Sequence, residues 1–120
     1  MTTQQTVFDS SHLPRSLELD DWEILEDFYG TFLQQLDTLL LHIQSTAPPM
    51  TMDEQRHHAH KLGSSCRTVG APALASLFES LEALCRDAAN EETREQLLAD
   101  IVILAKTTRK RVVSHLATRA

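Results

Sequence analysis

Three histidines, His57, His58 and His60, lie in one predicted helix near the middle of the chain. At 3.6 residues per turn, one stripe of this helix is apolar apart from a glutamine, so it should face a core. The stripe consists of Met52, Gln55, Ala59, Leu62, Cys66 and Val69. His60 lies roughly 100° around the helix axis from this stripe. Gly63 and Ser64 are its helical neighbours at three and four residues. The pattern predicts an exposed imidazole with room beside it for a bulky partner.

The histidine cluster suggests a metal site as an alternative, because His57 and His60 are three residues apart. A metal site normally needs a third and a fourth ligand. No cysteine or acidic cluster stands at a suitable spacing, and His58 lies on the flank of the apolar stripe. The spacing therefore favours a site without a metal.

Four amphipathic helices are expected to position these residues. The first begins at an Asp20 N-cap, with Glu23 completing a capping box and Leu19 and Ile24 at the staple positions, and it runs to about Ser45. Its apolar stripe is Trp22, Leu25, Phe28, Phe32, Leu36, Leu39, Leu40 and Ile43. Pro48 and Pro49 then prevent the helix from continuing.

The remaining helices are bounded by similar signals. The helix with His60 begins at Thr51, where Glu54 completes a capping box, and ends at Gly70. The third begins at Pro72 and ends near 87–90, and either Asn90 or Thr93 caps the last. The apolar stripes of these two helices are Leu74, Leu77, Phe78, Leu81, Leu84 and Cys85, then Leu97, Leu98, Ile101, Val102, Ala105, Val112, Val113 and Leu116. We predict an all-α fold, an antiparallel up-down-up-down four-helix bundle over 20–118, preceded by a segment 1–19 that can form a short helix.

The composition excludes several classes of protein. The chain of 120 residues suits one domain, and its net charge of −6 argues against a nucleic-acid binder. No apolar run reaches the ~20 residues of a membrane span, and the N-terminus lacks the pattern of a secretory signal. Cys66 and Cys85 lie on apolar stripes, which favours buried, reduced thiols. We expect a monomeric cytoplasmic protein.

The segment from His60-Lys61-Leu62 to Gly70-Ala71, followed by Leu74, Leu77 and Leu81-Glu82, resembles the signature of histidine phosphotransfer (HPt) domains. The resemblance covers residues 51–88 well and implies a four-helix bundle with a phosphoacceptor histidine at His60. Members of that family usually have lysine and then glycine where this chain has Gly63 and Ser64. The cation that would face the phosphate is therefore missing at this position.

The resemblance also implies the activity and the partners. His60 would accept a phosphoryl group from a receiver-domain aspartate and pass it to another receiver in a two-component phosphorelay. The chain would be a carrier and not an enzyme, without a cofactor or nucleotide site of its own, and magnesium would be bound by the partner receiver. It would work with response regulators and a hybrid histidine kinase, as a free-standing protein or as a domain excised from the C-terminus of such a kinase.

Several residues around His60 are candidates for supporting roles. Residues that could steady the phosphate are Ser64, Lys61, Arg67 and Arg56, with Arg67 favoured for its planar fork. Residues expected to dock the receiver are His57, Gly63, Ser64 and Arg67. Because the usual lysine is absent, an alternative is a docking module of the same fold that binds receivers or other helices without carrying phosphate.

Overall fold

The fold consists of five helices, without a strand among the residues that the structure describes. A computed structural model describes residues 5–45 and 48–118. The helices are α1 (His12–Leu17), α2 (Trp22–Gln44), α3 (Met52–Val69), α4 (Pro72–Arg86) and α5 (Glu91–Ala117). This confirms the all-α class and the short additional helix near the N-terminus.

Within these residues, none of the helices combines the length and the apolar character that crossing a membrane requires.

Side-chain caps fix where the helices begin. At α3 the Thr51 hydroxyl accepts the Glu54 N–H at 3.1 Å and the Glu54 carboxylate accepts the Thr51 N–H at 2.9 Å, which confirms the capping box. Asn90 caps α5 by accepting the backbone N–H of Thr93. The predicted Asp20 cap of α2 is wrong. Asp21 has the extended backbone of an N-cap and accepts the backbone N–H of Glu23, so the helix begins one residue later and the proposed capping box does not form.

The four long helices form a closed ring in which α2 contacts α3, α3 contacts α4, α4 contacts α5, and α5 contacts α2. Leu62 and Leu81 are each 1% exposed, as their stripes predict. The stripe of α2 is partly wrong, since Phe28 is 39% exposed and Tyr29 is buried in its place. A step of one residue turns a side chain by about 100°. Tyr29 therefore points inward, where its ring packs against Phe8, Trp22 and His115. Met52 and Val113 also lie nearer the surface than predicted.

The segment before α2 closes one end of the bundle. Leu13 of α1 is fully buried. The Asp9 N–H donates to the Gly70 carbonyl at 2.8 Å, and the Ala73 N–H donates to the Thr6 carbonyl at 3.1 Å. These bonds hold the segment across the turn between α3 and α4. Gly70 has a φ of +91°, and a Cβ there would lie only 2.6 Å from the Asp9 carbonyl oxygen. The turn therefore needs glycine for its backbone conformation and for the contact above it.

A histidine pair joins α2 to α3. His42 Nδ1 lies 3.0 Å from His58 Nε2, and His42 Nε2 lies 3.3 Å from a carboxylate oxygen of Glu54. One proton at most can lie between the two facing nitrogens, so this hydrogen bond requires a neutral ring on at least one side. Burial lowers the pKa of His58, and the charge of His42 lowers it further. The contact therefore favours the unprotonated form of His58.

Two glycine substitutions should have opposite effects on stability. Gly30 lies inside α2 with nothing within 4 Å of an added Cβ. Gly30→Ala should therefore raise the free energy of unfolding by about 1 kcal/mol. Gly70→Ala should lower it by at least ~1–2 kcal/mol because of the left-handed backbone alone. Urea unfolding of both variants measures the two effects. A Gly70→Ala protein as stable as wild type would contradict the close contact with Asp9.

The His58 contact should make stability depend on pH in the weakly acidic range. As the pH falls below about 6.5, the unfolded chain protonates this residue more readily than the folded chain does, so stability is lost. The carboxyl of Glu54, whose pKa is lowered by hydrogen bonds from Thr51, responds only at more acidic pH. The free energy of unfolding should fall less between about pH 7.5 and about pH 5.5 in His58→Gln than in wild type. An equal fall in both proteins would show that folding does not change the protonation of His58.

Candidate functional site

His60 lies on the surface of α3 with 76% of its side chain exposed, next to Glu82 of α4. Its Nδ1 is 2.8 Å from a carboxylate oxygen of Glu82. An ionised carboxylate only accepts hydrogen bonds, so in the neutral ring Nδ1 carries the proton and Nε2 keeps its lone pair. The contact fixes the tautomer and the orientation of the ring, as a hydrogen bond to the other nitrogen generally does. Nε2 is then the available nucleophile.

The short distance between His60 and Glu82 follows from the way α3 and α4 pair. The two helices run in opposite directions from the turn, and His60 and Glu82 are equally far from Ala71 along the chain. Gly63 and Glu79 form the next such pair. A Cβ at Gly63 would lie 3.6 Å from Phe78 Cβ and 4.0 Å from Glu79 Cγ. Gly63 is therefore part of the α3–α4 contact.

Gly63 does not lie on the exposed surface expected of a residue that docks the receiver, because it is buried. Residues three and four positions after His60 lie on opposite sides of it, at about −60° and +40° around the helix. Gly63 turns toward α4, whereas Ser64 turns toward α2 and is exposed. His60 thus has the carboxylate of Glu82 on the side toward α4 and the exposed Ser64 on the side toward α2.

A groove between α2 and α3 forms that second surface. It has a volume of about 380 Å³ and contains Ser64 in its wall. At its floor the Ser65 hydroxyl donates to the Gln35 side-chain oxygen at 2.6 Å. Phe28 also lines the groove and is 39% exposed, so the residue that the stripe of α2 misplaced contributes an aromatic surface to it.

The predicted cations occupy different positions. Arg67 donates from Nε and Nη2 to one carboxylate oxygen of Glu79, at 2.9 and 2.7 Å. Lys61 lies on the α2 side, in a cavity that His58 and Gln35 also line. Arg56 lies close enough to α4 for its charge to lower the pKa of the Cys85 thiol, which burial raises. Neither Lys61 nor Arg56 has an acidic partner within 4.0 Å in the part of the chain that the structure describes.

The Cys66 thiol and the two other histidines of α3 have surroundings that differ from those of His60. Burial raises the pKa of the Cys66 thiol to about 12, so this cysteine stays protonated and is not a nucleophile near neutral pH. His57 is exposed, with its ring centroid 6.2 Å from that of His58, while His58 is hydrogen-bonded to His42. Among residues 5–45 and 48–118, no three His, Cys, Asp or Glu side chains come together to hold a metal ion.

Glu82 was included in the sequence motif, but its hydrogen bond with His60 was not predicted. The signal was present, because a tight turn between two antiparallel helices brings residues at equal distances from the turn to the same level. Counting outward from Ala71 pairs His60 with Glu82 and Gly63 with Glu79. The same count identifies Glu79 as the residue that faces the site on the charged side.

The comparison with known families agrees with this geometry. A family model described as the Hpt domain matches residues 27–116, well over half of the chain. The matched segment contains α3 and α4 in full, and with them His60, Gly63 and Glu82. No curated protein and no solved structure matches the chain. With its exposed histidine on a helical bundle and this match, the chain belongs to the Hpt domain family, the histidine phosphotransfer modules of phosphorelays.

Proposed function

We propose that His60 accepts a phosphoryl group from the phosphorylated aspartate of a receiver domain and passes it to a second receiver. The observation that supports this is the contact between His60 Nδ1 and Glu82, which leaves the exposed Nε2 with the lone pair. The donor is proposed to be the receiver of a hybrid histidine kinase in the cytoplasm. The chain acts as a carrier, and the magnesium ion that assists transfer is held by the receiver.

The transfer needs no base to remove a proton from the nucleophile. The Nε2 lone pair of His60 attacks phosphorus, an N–P bond forms, and the P–O bond to the aspartate breaks with its electron pair leaving on the carboxylate. The proton on Nδ1 stays in the hydrogen bond to Glu82. The ring becomes positively charged when Nε2 is phosphorylated, and the carboxylate stabilises that charge. Transfer to the second receiver is the reverse of these steps.

Positioning supplies much of the catalysis in phosphoryl transfer. Here the groove between α2 and α3 is the proposed docking surface, because it is lined by Ser64, the helical neighbour of His60, and by the exposed Phe28. Ser64 stands between the groove and His60 and can donate its hydroxyl hydrogen to a phosphoryl oxygen. A receiver seated in the groove can bring its aspartate to Nε2 without displacing Glu82.

The alternative is a module that docks receivers without carrying phosphate. The observation in its favour is Gly63, which brings no cation to the side of His60 that faces α4. This alternative predicts receiver binding and no covalent label. Calorimetry with the unphosphorylated receiver and labelling with the phosphorylated one separate the two functions.

Labelling of His60 tests the proposed function. Wild-type protein incubated with a phosphorylated receiver should acquire an acid-labile, base-stable phosphoryl group, and His60→Gln should acquire none while its circular dichroism stays unchanged. His57→Gln is the matched control, because His57 is an exposed histidine on the same helix. If His57→Gln abolished the label and His60→Gln kept it, the assignment of the phosphoacceptor would be wrong.

Removal of the Glu82 carboxylate should slow transfer more than it destabilises the fold. Charge-assisted hydrogen bonds contribute ~1.5–3 kcal/mol, so Glu82→Ala should slow labelling by about tenfold to hundredfold. Glu82→Gln should lose less, since its amide oxygen can still accept the hydrogen bond from Nδ1–H. Quenched-flow measurement of the transfer rate gives both values, with Glu92→Ala on α5 as a control. An unchanged rate in Glu82→Ala would show that the ring needs no partner on α4.

A further inference from the structure

The guanidinium of Arg67 binds the carboxylate of Glu79 on the neighbouring helix α4. Its partner Glu79 stands opposite Gly63, since Glu79 Cγ is 4.0 Å from the position of a Gly63 Cβ. Arg67 Nη2 is 2.7 Å from a carboxylate oxygen of Glu79, so the Arg67 side chain reaches back toward the N-terminus of α3. This is the usual direction of long side chains on a helix. The guanidinium is therefore displaced from the Arg67 Cα toward Gly63, in the direction of His60.

Gly63 contributes no side chain at this level, where its buried backbone lies against Phe78 and Glu79 of α4. With no side chain at Gly63, nothing on α3 stands between the Arg67 guanidinium and the His60 ring on the side that faces α4. Both donating groups of Arg67 bind the same Glu79 oxygen. A guanidinium has five N–H donors, so three of them, two on Nη1 and one on Nη2, remain for a further acceptor while the bonds to Glu79 are kept.

We infer that Glu79 is a positioning residue that holds the Arg67 guanidinium over Gly63, where it binds oxygens of the phosphoryl group on His60. The inference rests on the proposed function. A planar guanidinium suits phosphoryl oxygens, and a partner that fixes it in advance removes part of the rotamer freedom that binding would otherwise cost. Lys61 is less well placed, because it lines the cavity on the α2 side of α3.

A second ion pair of the same kind provides a matched control. Arg109 of α5 donates from Nε and Nη2 to the carboxylate of Asp37 in α2, at 2.7 and 3.2 Å. The exposed fractions of its side chains, 43% and 45%, are close to the 49% and 53% of Arg67 and Glu79. Asp37→Ala therefore removes an interhelical carboxylate with a similar structural role, on an α2–α5 contact that does not involve α3 or α4.

The experiment measures how long the phosphohistidine persists. Each protein is loaded with phosphoramidate, which transfers its phosphoryl group to Nε2 and releases ammonia, and decay of the label is followed by ³¹P NMR. Arg67→Ala and Glu79→Ala should each shorten the lifetime, by about tenfold for Arg67→Ala as expected for one charge-assisted hydrogen bond. The double variant should match Arg67→Ala alone, because Glu79 acts through Arg67. Asp37→Ala should keep the wild-type lifetime, and all variants should show similar thermal stability.

Rescue separates a role at the phosphoryl group from a structural role. Gly63→Lys places an ammonium at the same turn, and its Cβ would make ordinary contacts with Phe78 and Glu79. This change should restore the lifetime in the Arg67→Ala background.

Several results would overturn the inference. A longer lifetime in Glu79→Ala would show that the carboxylate competes with the phosphoryl group for Arg67. An unchanged lifetime in Arg67→Ala would show that Arg67 does not reach it. Either result with a labelled wild-type protein overturns this inference and leaves the proposed function standing, whereas a wild type that takes no label from phosphoramidate or from a phosphorylated receiver overturns both.

Discussion

The close pairing of α3 and α4 is the constraint on which the site depends. Gly70 allows the chain to reverse with a left-handed backbone, Pro72 starts α4 at a position that needs no N–H donor, and buried Gly63 lies against Phe78. α3 and α4 run antiparallel from this turn, so residues equally far from it lie side by side. His60 of α3 therefore contacts Glu82 of α4. The orientation of the imidazole is thus determined by the packing of two helices and not by a loop.

His60 on the exposed face of α3 has different surroundings on its two sides. Toward α4 the neighbours of His60 are charged, with Glu82 in contact and the Arg67–Glu79 pair one turn further. Toward α2 the neighbour is Ser64, which lines a groove that continues along α3 toward the exposed Phe28. In the proposed function, chemistry at the His60 ring uses the side toward α4 and receiver docking uses the side toward α2. A partner that fills the groove does not have to displace the carboxylate that fixes the ring.

Sequence reasoning predicted most of the fold because helix periods and caps are local signals. The capping box at Thr51, the Gly70 stop and the buried faces of α3 and α4 required no knowledge of the neighbours. The predictions were wrong at positions where contacts between helices determine which side chain is buried. Phe28 and Tyr29 differ by one position, and the aromatic cluster with Phe8 selects which of them turns inward. Gly63 looked like open surface because a helix pattern alone does not show which side of His60 the next helix covers.

The ion pairs of the site contribute much less to the stability of the fold than the buried leucines do. The His60–Glu82 and Arg67–Glu79 pairs are substantially exposed, and exposed ion pairs typically contribute only ~0–1 kcal/mol to stability. Truncation of a buried leucine such as Leu62 or Leu81 typically costs ~2–5 kcal/mol. Stability therefore resides mainly in the apolar stripes. Substitution of the charged residues around His60 should change the free energy of unfolding little. Gly63 belongs to the buried helical pairing and carries no cation, so in the proposed mechanism the cation for the phosphoryl group is that of Arg67, further along α3.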